Sequence, residues 1–333
     1  MNLQKLNLYT FLVSILSLTL ISCSDDDDNV SPTPEGDDTF EIIANSENHN
    51  TLEGLLQDTG LDQVLNDGFY TVFAPTDDAF SNVDLSSLNN DQLTNVLLNH
   101  VIVGESFFQA PPASTQTTFS TGYFNTSATG VGENNLDLYI NIGDDIVLNG
   151  ESNVTSPDLN ANNGVVHVVD EVIPMPDITT FVTADPALND LLEALTRNDQ
   201  PDFVTTLSTP NGTDPAPFTV FAPRNDLSDS ENPDIVFQNL LNELNLDNMS
   251  EIPQQVLTEA LNSHVVAGDN ITSGELPEDE VIPIQTLGDE ISLNTGNLTI
   301  TDLNDRDSSI DIVDIQATNG VIHAIDQVIL PQQ

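Results

Sequence analysis

Histidines are the residues of this 333-residue chain whose placement most invites a chemical interpretation. His100 and His264 each end an apolar stripe with helical spacing, and His167 and His323 each stand inside a short apolar run typical of a buried strand. A repeated imidazole could bind a metal or act as a general base. No His-x-x-x-His, Glu-x-x-His or cysteine cluster accompanies them. The pattern therefore favours histidines that hydrogen-bond to backbone or aspartate inside the fold.

Other signatures of catalysis are missing from the sequence. There is no Gly-x-Ser-x-Gly motif and no glycine-rich loop of the kind that binds phosphate. Aspartate and glutamate number 54, so a pair of carboxylates says nothing specific about glycosidase chemistry. We therefore predict no catalytic residue and no enzyme activity.

One acidic stretch, residues 302–307 (DLNDRD), offers oxygen ligands for calcium. It departs from the EF-hand pattern because Arg306 occupies a ligand position and no glycine follows in the required place. We predict a polar loop and no dedicated metal site or cofactor. Weak calcium binding shared over the acidic surface stays open at this level.

The charge balance of the chain is extreme. The formal net charge is −50, and the basic residues are Lys5, Arg197, Arg224 and Arg306. Because nucleic-acid binding depends on clustered lysine and arginine, the composition argues against a nucleic-acid partner. It also argues against adsorption of the protein surface onto anionic lipid.

The N-terminus has the organisation of a secretion signal. Residues 1–22 combine one lysine with an apolar run too short to span a bilayer, and the single cysteine, Cys23, follows directly. This resembles a bacterial lipobox, which implies acylation of Cys23; the alternative is an ordinary signal peptide. Residues 24–28, Ser24, Asp25, Asp26, Asp27 and Asp28, resemble the export signal of Bacteroidetes surface lipoproteins, or else form a plain spacer. We predict a disordered acidic tether over residues 23–37.

Two motifs occur twice in the chain. Residues 71–75 (TVFAP) return as residues 219–223, and residues 163–170 (NGVVHVVD) return as residues 319–326 (NGVIHAID). Each TVFAP motif predicts a buried strand that ends at proline, with Phe69, Thr71 and Phe73 on one face. Each Asn-Gly predicts a turn into a strand covered on both faces. The repeats indicate two related domains of about 150 residues.

Further elements follow in both copies. A helix through Leu52 is paired with one through Leu188 at an offset of 136, which predicts a twelve-residue insertion in the loop 208–217 of the second copy. A helix is predicted after each TVFAP motif, and hairpins before each Asn-Gly motif. Arg224 is expected to pair with a carboxylate. His49 lies outside the motifs and is expected to be exposed.

The repeated motifs resemble those of the fasciclin (FAS1) domain family. The resemblance covers a first domain at residues 38–175 and a second at 178–331, and it implies an α+β fold in which a wedge of β-strands packs with several helices. Asn99-His100 and Ser263-His264 fall at the family's central Tyr-His position, and the missing tyrosines argue against carrying over integrin binding. The matching positions, expected to be mainly structural, are Thr71, Phe73, Pro75, His100, Asn163, Gly164, His167, Asp170, Thr219, Phe221, Pro223, His264, Asn319, Gly320, His323 and Asp326.

The resemblance implies a role in adhesion. We expect an outer-membrane lipoprotein, displayed on the cell surface, that binds a matrix protein, a polysaccharide or a neighbouring cell, with contact to the membrane through its lipid only. Two alternatives are a periplasm-facing scaffolding lipoprotein and an accessory ligand-binding lipoprotein. The lack of tryptophan speaks against sugar binding by aromatic stacking.

Overall fold

The computed structural model describes residues 36–104, 106–108, 117–227 and 235–332. The first domain begins with a helical layer and continues into its sheet. Its helices are α1 (Thr39–Ala44), α2 (Asn50–Thr59), α3 (Leu61–Asn66), α4 (Asp77–Phe80) and α5 (Asn90–Leu98). Its strands are β1 (Tyr70–Pro75), β2 (Val101–Val103), β3 (Ser106–Phe107), β4 (Thr117–Thr118), β5 (Gly122–Thr129), β6 (Asn135–Ile142), β7 (Ile146–Leu148), β8 (Ser152–Ala161) and β9 (Gly164–Val169).

The second domain repeats this order. Its helices are α6 (Ile178–Ala184), α7 (Asn189–Thr196), α8 (Phe203–Leu207), α9 (Val236–Leu244) and α10 (Gln254–Ser263). Its strands are β10 (Phe218–Pro223), β11 (Val265–Ala267), β12 (Val281–Gln285), β13 (Glu290–Asn294), β14 (Thr299–Thr301), β15 (Asp307–Ala317) and β16 (Gly320–Ile325). None of the helices described is long and apolar enough to cross a membrane.

Each domain contains one seven-stranded sheet, and the two sheets share a topology. The strand orders are β2-β1-β9-β8-β7-β6-β5 and β11-β10-β16-β15-β14-β13-β12. The first strand of each domain runs parallel to the last, whereas the remaining neighbours pair antiparallel. The predicted α+β class, with strands packed by several helices, is confirmed.

The TVFAP strands lie at the centre of each core. Thr71, Val72 and Phe73 are almost fully buried, as are their counterparts in β10. The strands end at the prolines, as predicted, since proline has no N–H for the next ladder bond. Phe69 was placed on the same face as Thr71 and Phe73, and this was wrong: Phe69 precedes the strand and is 59% exposed.

The predicted correspondence between the helix through Leu52 and the helix through Leu188 was wrong by one helical turn. Thr39 and Ile178 both follow an N-cap aspartate, and both donate their N–H to a motif asparagine, Asn163 or Asn319. Leu52 therefore corresponds to Leu191, at an offset of 139. The second copy gains nine residues before its strand and not twelve. A leucine-rich helix permits this slip because apolar side chains recur at every turn.

The helix predicted after each TVFAP motif follows the strand directly in the first copy, whereas the next helix described in the second copy is α9. Thr76 caps α4 by accepting the N–H of Ala79. In the second copy, residues 224–227 form no helix. The side chain of Asn225 instead bonds Asp190 and the N–H of Val236, which ties this segment to two helices.

Candidate functional site

The two helix-end histidines close the core of each domain. His100 Nε2 accepts the N–H of Ile173 at 2.9 Å, and His264 Nε2 accepts that of Ile329 at 3.0 Å. Each Nδ1–H consequently donates to a carbonyl four residues earlier, at 2.8 and 2.7 Å. Both imidazoles thus join a helix end to the segment that follows the last strand.

The two strand histidines use the opposite tautomer. His167 Nδ1 accepts the N–H of Asp158 at 3.0 Å, and its Nε2–H donates to the Ser106 carbonyl at 3.0 Å. His323 repeats this with Asp314 at 3.2 Å and the Ile271 carbonyl at 2.8 Å. Asp158 and Asp314 have positive φ values of 61° and 60°, so each histidine fixes an unusual backbone turn.

Burial controls the protonation of these four rings. It lowers the pKa of His100, His167 and His264 to about 4 and lowers the pKa of His323, although backbone hydrogen bonds oppose it. The rings are neutral at pH 7, and their eight nitrogens already have partners. This geometry suits structural bonding and leaves no lone pair for a metal or a substrate proton.

Stability is therefore expected to fall as the pH falls from about 6.5 towards 4. The unfolded chain binds protons on His100, His167 and His264 near their ordinary pKa of 6.5, whereas the folded chain does so near 4, so the stabilisation is complete above 6.5 and is lost on acidification. Urea unfolding at a series of pH values should show a loss of several kcal/mol over this window. NMR titration should place the folded midpoints of His100, His167 and His264 near 4 and that of His323 below 6.5, and midpoints near 6.5 would contradict the expectation.

The Asn-Gly motifs anchor the first helix of each domain. Asn163 Nδ2 donates to the Leu65 carbonyl at 2.6 Å, and its Oδ1 accepts the Thr39 N–H at 2.8 Å. Asn319 makes the equivalent pair of bonds in the second domain. The backbones approach so closely here that a Cβ on Gly164 would lie 1.9 Å from the Tyr70 carbonyl oxygen.

The remaining motif positions also bond within the fold. Thr71 Oγ1 donates to the Gly104 carbonyl, and Thr219 Oγ1 donates to the Asp269 carbonyl. Asp170 and Asp326 each accept a backbone N–H from the neighbouring strand at 2.7 Å. Phe73 and Phe221 lie against the strand histidines, with ring centroids 5.4 and 5.7 Å apart.

A buried carboxylate joins the two domains. Asp185 is 1% exposed and accepts hydroxyl hydrogens from Tyr123 at 2.9 Å and Tyr139 at 3.1 Å, both in the first domain. Its partner within the second domain is Arg224, at 2.8 Å, which confirms the predicted ion pair. The sequence singled out Arg224 but not the tyrosines, because neither has a local signal that marks it for an interface.

A second junction contact involves a carboxylic acid. Asp137 of the first domain accepts the Gln316 N–H at 2.7 Å, and burial raises the pKa of Asp137 to about 7. Nearby, Gly130 leaves room for the Ala317 carbonyl oxygen. A Cβ on Gly130 would lie 2.8 Å from that oxygen. The folded state binds the Asp137 proton at a higher pH than the unfolded state does. Acidification therefore increases the stability contributed by Asp137, whereas it decreases the stability contributed by the histidines.

The acidic loop is organised by arginine. The Asp302 carboxylate lies 3.4 Å from Arg306 Nη1 and accepts the N–H of Leu330 at 3.2 Å, and Arg306 also pairs with Glu243 at 3.0 Å. The Arg306 guanidinium thus balances the negative charge of Asp302 and Glu243, as a bound calcium ion would. Within the described ranges, no group of three His, Cys, Asp or Glu side chains could hold a metal ion.

His49 was expected to be exposed, and this was wrong. It is only 6% exposed because the loop that carries it folds over β1 and β9, and its Nδ1 lies 2.7 Å from Ser46 Oγ. The signal, lipidation and export positions, Cys23 and residues 24–28, lie outside the described residues, as does most of the proposed tether.

Comparison with known proteins identifies the motifs. A sequence model of the fasciclin domain matches residues 47–176 and again residues 186–331. Protein sll1483 of Synechocystis sp. is 31% identical over 144 residues, which cover 41% of this chain and 72% of that protein. Periostin of Homo sapiens is 28% identical over 290 residues, 79% of this chain, but the match spans only 28% of periostin.

The architecture agrees with a solved structure. The FAS1 domain pair of the insect cell adhesion molecule fasciclin I matches with a TM-score of 0.51 at 19% identity, and the match covers 84% of this chain and 96% of that one. Strand order, repeated motifs and sequence match all agree, and the chain belongs to the fasciclin domain family.

Proposed function

We propose that this protein is a cell-surface adhesion lipoprotein without catalytic activity. The observation that carries the proposal is that the polar groups of the repeated motifs bond inside the fold: both ring nitrogens of each motif histidine bond to backbone. The two domains also form one compact unit from Gly36 onward. Such a unit is suited to presenting its surface, and the adhesive role of fasciclin I supports the same class of function here.

The anchor and the partner belong to the proposal. The acyl chains on Cys23 hold the protein at the outer membrane, the acidic segment after it acts as tether and export signal, and the domains contact a matrix protein, a polysaccharide or a neighbouring cell. Two modules on one anchor raise the effective concentration if both engage. No cofactor is required, and calcium acts at most through weak binding to the acidic surface.

Surface display is tested on intact cells that produce the full chain. Added protease should degrade both domains of the native protein. A variant with alanine at Asp25, Asp26, Asp27 and Asp28 should be protected, and Cys23→Ala should lose membrane attachment. Protection of the native protein would instead support a periplasm-facing scaffold.

Adhesion is tested with the purified protein on arrays of matrix proteins and polysaccharides, with and without calcium. Saturable binding to one class of target is expected. Failure to bind any target in either condition would count against the adhesive role and favour the scaffolding alternative.

A further inference from the structure

The first domain carries an open cleft between α4 and the segment that follows its last strand. We call it the α4 cleft; its volume is about 460 Å³. Val83 and Val172 are among the apolar residues that line it, and Asp84, Glu151 and Glu171 add carboxylates. The first domain contains no lysine or arginine. The cleft thus combines apolar walls with a negative charge that its own domain cannot balance.

The second domain has the same cleft between α9 and the segment after its last strand. Residues 79–83 (AFSNV) correspond to residues 236–240 (VFQNL), and the phenylalanine of each is buried. The side chains that line the two clefts from these helices match in position: Ala79, Asn82 and Val83 in the first, and Val236, Asn239 and Leu240 in the second. Residues 171–172 line the first cleft as residues 327–328 line the second. The two clefts therefore occupy equivalent places.

An arginine enters the cleft of the second domain. Arg306 Nη1 donates to the Val328 carbonyl at 2.9 Å, and its Nη2 donates to the Glu243 carboxylate at 3.0 Å. The volume left open beside it is about 230 Å³. In the first domain the corresponding loop, residues 149–151, is shorter than residues 302–306 and holds no arginine. The α4 cleft is therefore the wider of the two and lacks this guanidinium.

The backbone acceptor of this arginine has a counterpart in the first domain. In each domain the helix-end histidine accepts the N–H of the next residue in the segment, Ile173 or Ile329. The carbonyl of a trans peptide points opposite to its N–H. The Val172 carbonyl consequently points away from the histidine and towards the α4 cleft, as the Val328 carbonyl points towards Arg306.

The α4 cleft also contains acceptors without donors. Within the residues that the structure describes, the Val172 carbonyl accepts no hydrogen bond, and the Glu151 and Glu171 side chains have no hydrogen-bond or ion-pair partner. A guanidinium carries five N–H donors in one plane, so it can bond to a carbonyl and a carboxylate together, whereas an ammonium acts as a compact point charge. This set of acceptors therefore favours arginine over lysine.

A second copy of this chain is not the source of such an arginine. The arginines of the described chain are each bonded within their own domain: Arg197 to Asp199, Arg224 to Asp185 and Arg306 to Glu243. Two copies with a net charge of −50 also repel each other. The guanidinium has to come from a different molecule.

We propose that the α4 cleft is a docking site for an arginine side chain of a partner protein, bound as Arg306 is bound in the second domain. The methylene stem packs on Val83 and Val172, and the guanidinium bonds to the Val172 carbonyl and to the carboxylates of Glu151 and Glu171. This inference deepens the proposed adhesive function and rests on it for the existence of a protein partner. The cleft is tested on purified protein, so that failure of surface display and failure of the site are separate results.

The test uses the peptide acetyl-Gly-Arg-Gly-amide and methyl NMR of the intact mature chain. The Val83, Leu85 and Val172 methyl signals should shift saturably. A citrulline peptide, in which a neutral urea replaces the guanidinium, should bind about three- to tenfold more weakly because its hydrogen bonds lack the charge. A lysine peptide carries the same charge as the arginine peptide and measures general attraction to the acidic surface, so it should also bind more weakly. No saturable shift, or binding of either analogue as tight as that of the arginine peptide, would overturn the site.

Carboxylate variants locate the binding. Glu151→Gln and Glu171→Gln should each weaken binding of the arginine peptide about two- to fivefold, the usual effect of one exposed ion pair. Glu193→Gln is the matched control, since it removes an exposed carboxylate from α7 of the second domain and should leave the affinity unchanged. Equal weakening by all three variants would show attraction to the whole acidic surface and would overturn the site.

A comparison with free arginine tests the protein origin of the side chain. Free arginine has the same guanidinium but carries a charged α-carboxylate and α-ammonium in place of peptide bonds. The arginine peptide should bind at least as tightly as free arginine. Tighter binding of free arginine would overturn docking of a protein and leave a small guanidinium compound as the ligand.

Discussion

Replacing Asp185 by alanine is expected to lower the free energy of unfolding by about 3–5 kcal/mol, the usual effect of removing one partner from a buried ion pair. Arg224 would keep its charge in a partly buried place, and the Tyr123 and Tyr139 hydroxyls would lose their acceptor. Because these tyrosines belong to the first domain, the variant should also uncouple the two domains. Urea unfolding and calorimetry should report both effects.

Asp199→Ala is the matched control. Asp199 also pairs with an arginine, Arg197, at 2.7 Å, but its side chain is 46% exposed. An exposed ion pair contributes little because water screens it, so no measurable loss is expected. If the two variants lose similar stability, Asp185 does not have the role assigned to it at the junction.

Gly164→Ala is expected to be the most damaging small substitution in the first domain. The added Cβ would lie 1.9 Å from the Tyr70 carbonyl oxygen, and the φ of +151° at this position is one that side chains rarely adopt. The contact is with backbone, so no side chain can move away, and the β1–β9 pairing has to separate. We expect a loss of about 4 kcal/mol or more, measured by urea unfolding.

Gly54→Ala supplies a control of opposite sign. Gly54 lies inside α2, and a Cβ there meets no atom within 4 Å. Alanine should stabilise the helix by about 0.5–1 kcal/mol because it has less backbone freedom to lose on folding. A loss at Gly164 no greater than the small change at Gly54 would show that the sheet tolerates the extra carbon.

The central strands were predictable because several signals agree there. Apolar residues on both faces, a terminal proline and an Asn-Gly turn each limit the backbone, and together they predict β1, β9 and their counterparts. The register of α2 and α7 was not predictable in the same way, since leucines at each turn fit more than one alignment. Burial of His49 was missed because it depends on a loop folding over strands distant in sequence.

The junction could not be read from the sequence for a related reason. Tyr123 lies 62 positions from Asp185, Tyr139 lies 46 and Arg224 lies 39. None of the four is part of a repeated motif that would mark it for contact. Only the folded arrangement shows that a single carboxylate serves both domains, and the same holds for Asp137 and Gln316.

The parallel pairing of the first and last strands has a mechanical consequence. Tyr70 lies opposite Gly164 and Pro75 opposite Val169, so a pull between the start of β1 and the end of β9 slides the two strands past each other. In that direction the hydrogen bonds share the force and break together, whereas an antiparallel terminal pair would open one bond at a time. The strand pairing of each domain therefore resists tension applied between its first strand and its last strand.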